Sequence, residues 1–123
     1  MKSKENFFKI LCFDLDNVIC FTNKEKIYKE SKPNKKVINF INSLYDKKKY
    51  IIKVYTARGM SKYKGNLNKI NKNYKKLTKL QLKNWGLRYD ELILGKASYD
   101  YFVDDKAVGF NKNWMQTLKK LLS

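Results

Sequence analysis

Two aspartates separated by one residue, Asp14 and Asp16, close the apolar run Ile10-Leu11-Cys12-Phe13. Residues i and i+2 of a strand point the same way, so both carboxylates are expected to face one pocket where the chain leaves a sheet. Carboxylates this close repel, and a bound cation relieves them at least cost. Magnesium suits such a site best, because it is a hard ion that takes oxygen from one or two carboxylates while a phosphate completes its shell. Asp and Asn are also ordinary turn formers, so a strand followed by a plain turn is the competing reading. Further along, Thr56-Ala57-Arg58-Gly59 follows the apolar run Tyr50 to Tyr55, Lys96 follows Glu91 to Leu94, and Asp104-Asp105 follows Tyr101-Phe102-Val103.

Phosphoryl transfer requires a nucleophile, a metal at the phosphate oxygens, donors for the remaining oxygens and a proton source for the leaving group. Asp14 is able to attack phosphorus, and Asp16 to protonate the leaving alcohol and then activate water. The Thr56 hydroxyl and the Lys96 ammonium would bind transferring oxygens, with Lys83 as a competing lysine, and Asp104 and Asp105 would complete a magnesium site with Asp14 and Asp16. Arg58 would read a second anionic or hydroxyl group of the substrate. The chain contains no histidine, which removes Ser-His-Asp and Cys-His catalysis and every histidine metal site.

The elements that must position these residues alternate. A strand is expected from about Lys9 to Asp14, and the stretch Asn17 to Lys32 reads as a short hairpin or flap. Pro33 suits a first helical turn, and Val37, Ile38, Ile41, Leu44 and Tyr45 recur at helical spacing up to Lys49. Tyr50 to Tyr55 is a second strand. From Met60 to Lys76 the helical signal is weak. Thr78-Lys79-Leu80-Gln81 has the form of a capping box opening a helix through Trp85, with Gly86 as its stop. Glu91 to Leu94 is a third strand, Tyr101 to Val103 a fourth, and a helix runs from about Asn113 to Leu122. Only six residues, Gly95 to Asp100, link the last two strands, too few for an ordinary crossover helix. Alternation of this kind implies an α/β layer with a mostly parallel sheet, whose ligands sit at the carboxyl ends of the strands.

With 123 residues the chain is expected to form a single domain. The polar start Met1 to Asn6 does not read as a signal peptide, and no segment reaches the roughly 20 apolar residues of a membrane helix, so a cytoplasmic protein without membrane contact is expected. Cys12 and Cys20 are expected to remain thiols in that compartment. The formal charge of +17 comes mostly from lysines dispersed along the chain, which reads as a solvated surface, while clustered lysine is what a nucleic-acid binder needs. A homo-oligomer is compatible with the sequence.

The order Phe13-Asp14-Leu15-Asp16-Asn17-Val18, Val54-Tyr55-Thr56-Ala57-Arg58-Gly59, Gly95-Lys96 and Phe102-Val103-Asp104-Asp105-Lys106-Ala107 resembles the four motifs of the haloacid dehalogenase (HAD) superfamily of phosphatases. Within it the chain is most similar to small phosphatases of capsular polysaccharide biosynthesis, which share a Gln-Leu-x-x-Trp-Gly-Leu helix end like Gln81 to Leu87. The resemblance implies a Rossmann-like sheet flanked by helices with minimal or no cap, and a magnesium-dependent phosphomonoesterase acting on a small sugar or alcohol phosphate. It also implies Asp14 as nucleophile and Asp16 as acid and base. Thr56, Ala57, Arg58, Lys96 and Asn17 would surround the phosphate, with Asp14, the backbone carbonyl of Asp16, Asp104 and Asp105 at the metal. A nucleic-acid 3′-phosphatase is the enzymatic alternative, and a non-catalytic basic nucleic-acid-binding module is the other.

Overall fold

The computed structural model describes residues 8–123; the polar start read above as no signal peptide lies outside them. Strand β1 (Lys9–Asp14) pairs in parallel with β4 (Tyr50–Thr56), which pairs in parallel with β5 (Glu91–Leu94), giving the order β1-β4-β5. The register sets Asp14 opposite Tyr55 and Thr56 opposite Leu94, so the carboxyl ends of all three strands lie at one edge. A separate antiparallel pair, β2 (Cys20–Phe21) with β3 (Lys32–Pro33), brackets a single turn at Tyr28–Glu30 and forms the expected flap. The chain is thus an α/β protein with a mostly parallel sheet flanked by helices, and among the described residues no separate cap covers the sheet edge.

Helix α1 (Lys35–Asp46) starts two residues later than its proline suggested. Pro33 is taken by β3, and the side chain of Asn34 caps the helix by accepting from the Val37 amide. Its apolar stripe, Val37, Ile38, Phe40, Ile41 and Leu44, is buried in one core with Phe13, Ile52 and Val54 of the sheet. Helix α4 (Trp114–Leu122) closes that core. The Trp114 ring meets Phe40 edge-on at 5.6 Å and Phe13 at 6.2 Å.

The weakly patterned stretch after β4 turns through Gly65 into α2 (Leu67–Ile70), capped by the Asn66 side chain, and runs on through a π turn (Asn71–Lys75) into α3 (Lys76–Asn84). No helix starts at Thr78: the helix is already under way, so Thr78-Lys79-Leu80-Gln81 is not a capping box but two buried polar residues one turn apart on α3. The stop at Gly86 is as expected. Gly86 adopts φ +74, its amide donates to the Lys83 carbonyl and the Leu87 amide to the Leu82 carbonyl, with Leu82 and Leu87 both buried. Asn42 of α1 holds that turn, donating to the Gly86 carbonyl and accepting from the Arg88 amide.

The expected fourth strand is absent among the described residues. After Leu94 the Lys96 amide donates to the Thr56 carbonyl, and the chain then runs irregularly to α4. Tyr99 packs on Phe102 with ring centres 5.0 Å apart, while Tyr101 and Val103 stand 93% and 97% exposed. The six-residue link from β5 leaves no room for a crossover, and Asp104 uses its side chain to accept from the Lys106 amide, the work of a turn former. No helix among the described residues is long and apolar enough to cross a membrane.

Candidate active site at the carboxyl edge of the sheet

Asp14 is the last residue of β1, and its carboxylate leans over the edge of the sheet. Oδ1 accepts from the Leu15 amide at 2.9 Å and lies 3.5 Å from the Lys96 Nζ. Burial pushes the Asp14 carboxyl above the usual range, against the opposing pull of Lys96. Burial draws the Lys96 ammonium the other way, but its hydrogen bond to Tyr99 and the charge of Asp14 prevail and raise it. The Tyr99 and Phe102 rings flank the same ammonium at 5.4 and 6.0 Å. Lys96, not Lys83, is therefore the lysine that meets Asp14; Lys83 is exposed on α3.

Immediately beyond Asp14 the chain folds back on itself. Leu15 is fully buried, its carbonyl accepts from the Ile19 and Cys20 amides, and Asn17 takes φ +66, a left-handed conformation that asparagine tolerates. The Asn17 side chain accepts from the Thr22 amide, so this residue stabilises the flap's entry. Asp16 is consequently turned toward Arg58. The guanidinium donates through Nε to both carboxylate oxygens at 3.2 and 3.1 Å and through Nη2 to Oδ1 at 2.9 Å. Thr22 donates to the same carboxylate, and Thr56 donates to Oδ2 at 3.5 Å.

The two carboxylates thus share one cleft, but each has its own cationic side chain: Lys96 at Asp14 and Arg58 at Asp16. These cations offset part of the repulsion, and the charge of Asp16 still adds to the upward push on the Asp14 carboxyl. Arg58 also departs from its expected role. Its side chain has no exposed surface, and Nη1 donates to Thr78 at 3.1 Å and to Gln81 at 2.6 Å, while Nη2 reaches Ser31 at 3.5 Å. All three nitrogens are spent on the protein, so the guanidinium holds Asp16 and does not reach out to read a substrate. Thr22, Ser31, Thr78 and Gln81 were not singled out as site residues; the legible traces were the Thr-x-x-Gln spacing, which on a continuous helix sets two polar side chains on one face, and the Gln-Leu-x-x-Trp-Gly-Leu helix end that begins at Gln81.

Asp104 and Asp105 do not join this group. Both are exposed in the turn after Val103, and among the described residues no set of three or more Asp, Glu, Cys or His side chains is grouped to hold a metal. The Lys106 amide, bonded to Asp104, holds that carboxyl below its usual range. With the strand that was to deliver them absent, with Asp16 engaged by Arg58 and with Asp14 facing Lys96, the residues as placed fall short of a magnesium shell.

The cleft above the two aspartates has a volume of about 600 Å³. One wall is the flap, from Thr22 through Lys24, Glu25 and Lys26 to Tyr28; the other is the turn after β4, with Ala57, Gly59, Ser61 and Lys62, backed by Tyr74. Tyr28 spans the two, its ring 4.8 Å from the Arg58 guanidinium and edge-on to Tyr74 at 5.2 Å. Gly59 cannot be replaced without disturbance here, since it adopts φ +80 and an added Cβ would lie 2.7 Å from the Tyr74 ring. Polar and apolar surface both line the cleft, and the Asp14 and Asp16 carboxylates lie among its lining residues.

No family model and no curated protein matches the chain. Among solved structures, a crystal structure of a target protein from Vibrio cholerae is similar at a TM-score of 0.76 and 27% identity, over 94% of this chain and 100% of that one. A chain of the Pnkp1/Rnl/Hen1 RNA repair complex is similar at a TM-score of 0.49 and 15% identity, over 92% of this chain and 31% of that one.

Proposed function

We propose that this protein is a phosphomonoester hydrolase of the haloacid dehalogenase type that works through an aspartyl phosphate. The observation that carries the reading is the Asp14 carboxylate at the end of β1, 3.5 Å from the Lys96 ammonium, beside Asp16 on the floor of an open cleft. An Asp14 oxygen attacks phosphorus and the phosphorus–oxygen ester bond breaks, its electron pair leaving with the alcohol oxygen, which takes a proton from Asp16. Water then attacks phosphorus in the aspartyl phosphate and gives a proton back to Asp16. Inorganic phosphate departs and the Asp14 carboxylate is restored. In this reading Lys96 balances the charge that builds on the phosphoryl oxygens, while Thr56, fully buried with its hydroxyl on Asp16, departs from its expected phosphate-binding role and holds that carboxylate.

Magnesium belongs to this reading through the four-motif resemblance alone, where it would neutralise phosphoryl oxygens; the described residues do not assemble its shell. The substrate class, a small sugar or alcohol phosphate used in surface polysaccharide synthesis, rests on the same resemblance. A second reading, a nucleic-acid 3′-phosphatase, is favoured by Lys24, Lys26 and Lys62 lining the cleft. A screen of phosphorylated metabolites and a 3′-phosphorylated oligonucleotide for released phosphate, run with magnesium and with excess chelator, tests all of this. Hydrolysis of a small monoester that stops on chelation and returns with magnesium is expected. Undiminished hydrolysis after chelation removes the metal, and preference for the oligonucleotide at physiological salt promotes the second reading.

A further inference from the structure

Arg58 is a fully buried cation whose hydrogen bonds run in two directions, toward Asp16 and toward α3. On the α3 side its acceptors are Thr78 Oγ1 and Gln81 Oε1, one helical turn apart, both buried and both without charge. A planar guanidinium bound at both ends has one orientation available, so the α3 pair determines how its Nε and Nη2 edge meets the Asp16 carboxylate. Gln81 has a further partner: its amide nitrogen donates to the Tyr28 carbonyl at 2.6 Å, in the turn of the flap that walls the cleft. Tyr28 in turn covers Arg58 with its ring. Flap, helix and acid/base carboxylate are therefore joined through one side chain.

We infer that Thr78 and Gln81 are positioning residues for Asp16, acting through Arg58, and that Gln81 couples the seat of the flap to the orientation of that carboxylate. The inference rests on the phosphatase reading, in which Asp16 supplies the proton to the leaving alcohol. A misaligned Asp16 matters when the leaving group is a poor one that must be protonated as it departs, and matters little when the leaving group is a stable anion. The ratio of kcat/KM on an alkyl phosphate to kcat/KM on p-nitrophenyl phosphate isolates this effect. That parameter reports steps up to release of the alcohol and excludes the later hydrolysis of the aspartyl phosphate, in which both substrates are alike.

Thr78→Val keeps the shape and removes the hydroxyl; Gln81→Met keeps the length and removes both amide functions. Each is expected to lower the ratio by about ten-fold or more, within the range that a general acid contributes. Thr78→Ser, which retains the hydroxyl, is expected to restore it. Gln81→Glu keeps the acceptor for Arg58 but loses the donor to Tyr28, and is expected to recover part of the ratio. If Gln81→Met does not fold, the Thr78 pair carries the test by itself. A wild-type protein active on both esters whose variants lose activity equally on both, or lose none, overturns the positioning role and leaves the phosphatase standing. A wild-type protein inactive on both, with and without magnesium, overturns the two together.

Discussion

Asp14 and Arg58 hold charge at opposite depths, and the consequences of removing each differ. Because burial raises the Asp14 carboxyl, the folded state binds its proton more tightly than the unfolded state, and the contribution of this group to stability falls as pH rises from below the ordinary carboxylate range through the raised value. Asp14→Asn, which needs no ionisation, should therefore be at least as stable as the parent near neutral pH, with the difference closing in acid, while turnover falls by several orders of magnitude. Thermal melts across pH on both proteins check the first part and phosphate release the second; a variant that is less stable at neutral pH would mean that the ion pair with Lys96 outweighs burial. Arg58 has the reverse character. Its side chain is wholly buried and Asp16 keeps 21% of its side-chain surface, so truncation strands a partly desolvated carboxylate. Arg58→Ala is expected to cost about 3 kcal/mol, the lower end for a broken buried pair, and Arg58→Lys less, since a lysine restores the charge but not the fork. Denaturant melts measure this, and a loss below about 0.5 kcal/mol would put the pair among ordinary surface bridges.

At the scale of elements, the end of α3 does two jobs. It stops the helix with a left-handed glycine and delivers Leu87 into the core, where it meets Leu82. Gly86→Ala meets no steric obstacle from neighbouring atoms, so its cost is that of the left-handed backbone alone, about 1–2 kcal/mol. A melt unchanged by this substitution would show that the backbone relaxes to another conformation. The π turn between α2 and α3 is the other decisive element. It carries Tyr74, whose ring packs against Tyr28 of the flap, on the helix that also carries Thr78 and Gln81. One helix thereby reaches the flap by an aromatic contact and Asp16 indirectly, through its hydrogen bonds to Arg58.

Across the whole molecule the formal charge of +17 is the dominant long-range property. If that excess is a solvated surface, binding to single-stranded or duplex DNA should be weak and should vanish near physiological salt, because each displaced counterion contributes to a steep salt dependence. Hydrolysis of a small monoester, whose one dianion has few counterions to release, should vary far less over the same range. Fluorescence anisotropy with labelled oligonucleotides, alongside phosphate release at matched salt, distinguishes the two. Tight DNA binding that persists at physiological salt would assign the lysines to a specific surface.

Much of this architecture is local and could be read from the chain: β1 and β5 from short apolar runs, β4 from a β-branched and aromatic one, α1 and α4 from 3.6-residue spacing, and the stop at Gly86 from its backbone freedom. Such features depend on neighbours in sequence, so composition and period report them. The reading failed where partners distant along the chain decide the outcome. Whether Tyr101 to Val103 pairs as a strand depends on an edge being within reach of a six-residue link, and Thr78 and Gln81 looked like a cap only because the helix preceding them was faint. The same holds at the site. Sequence order brought Asp14, Asp16, Thr56 and Lys96 to one edge of the sheet, but only the packed structure decided that Asp16 faces Arg58 and Asp14 faces Lys96. The pairing of buried charges is determined by which desolvated groups the fold brings within hydrogen-bond reach, and spacing along the chain carries no record of that.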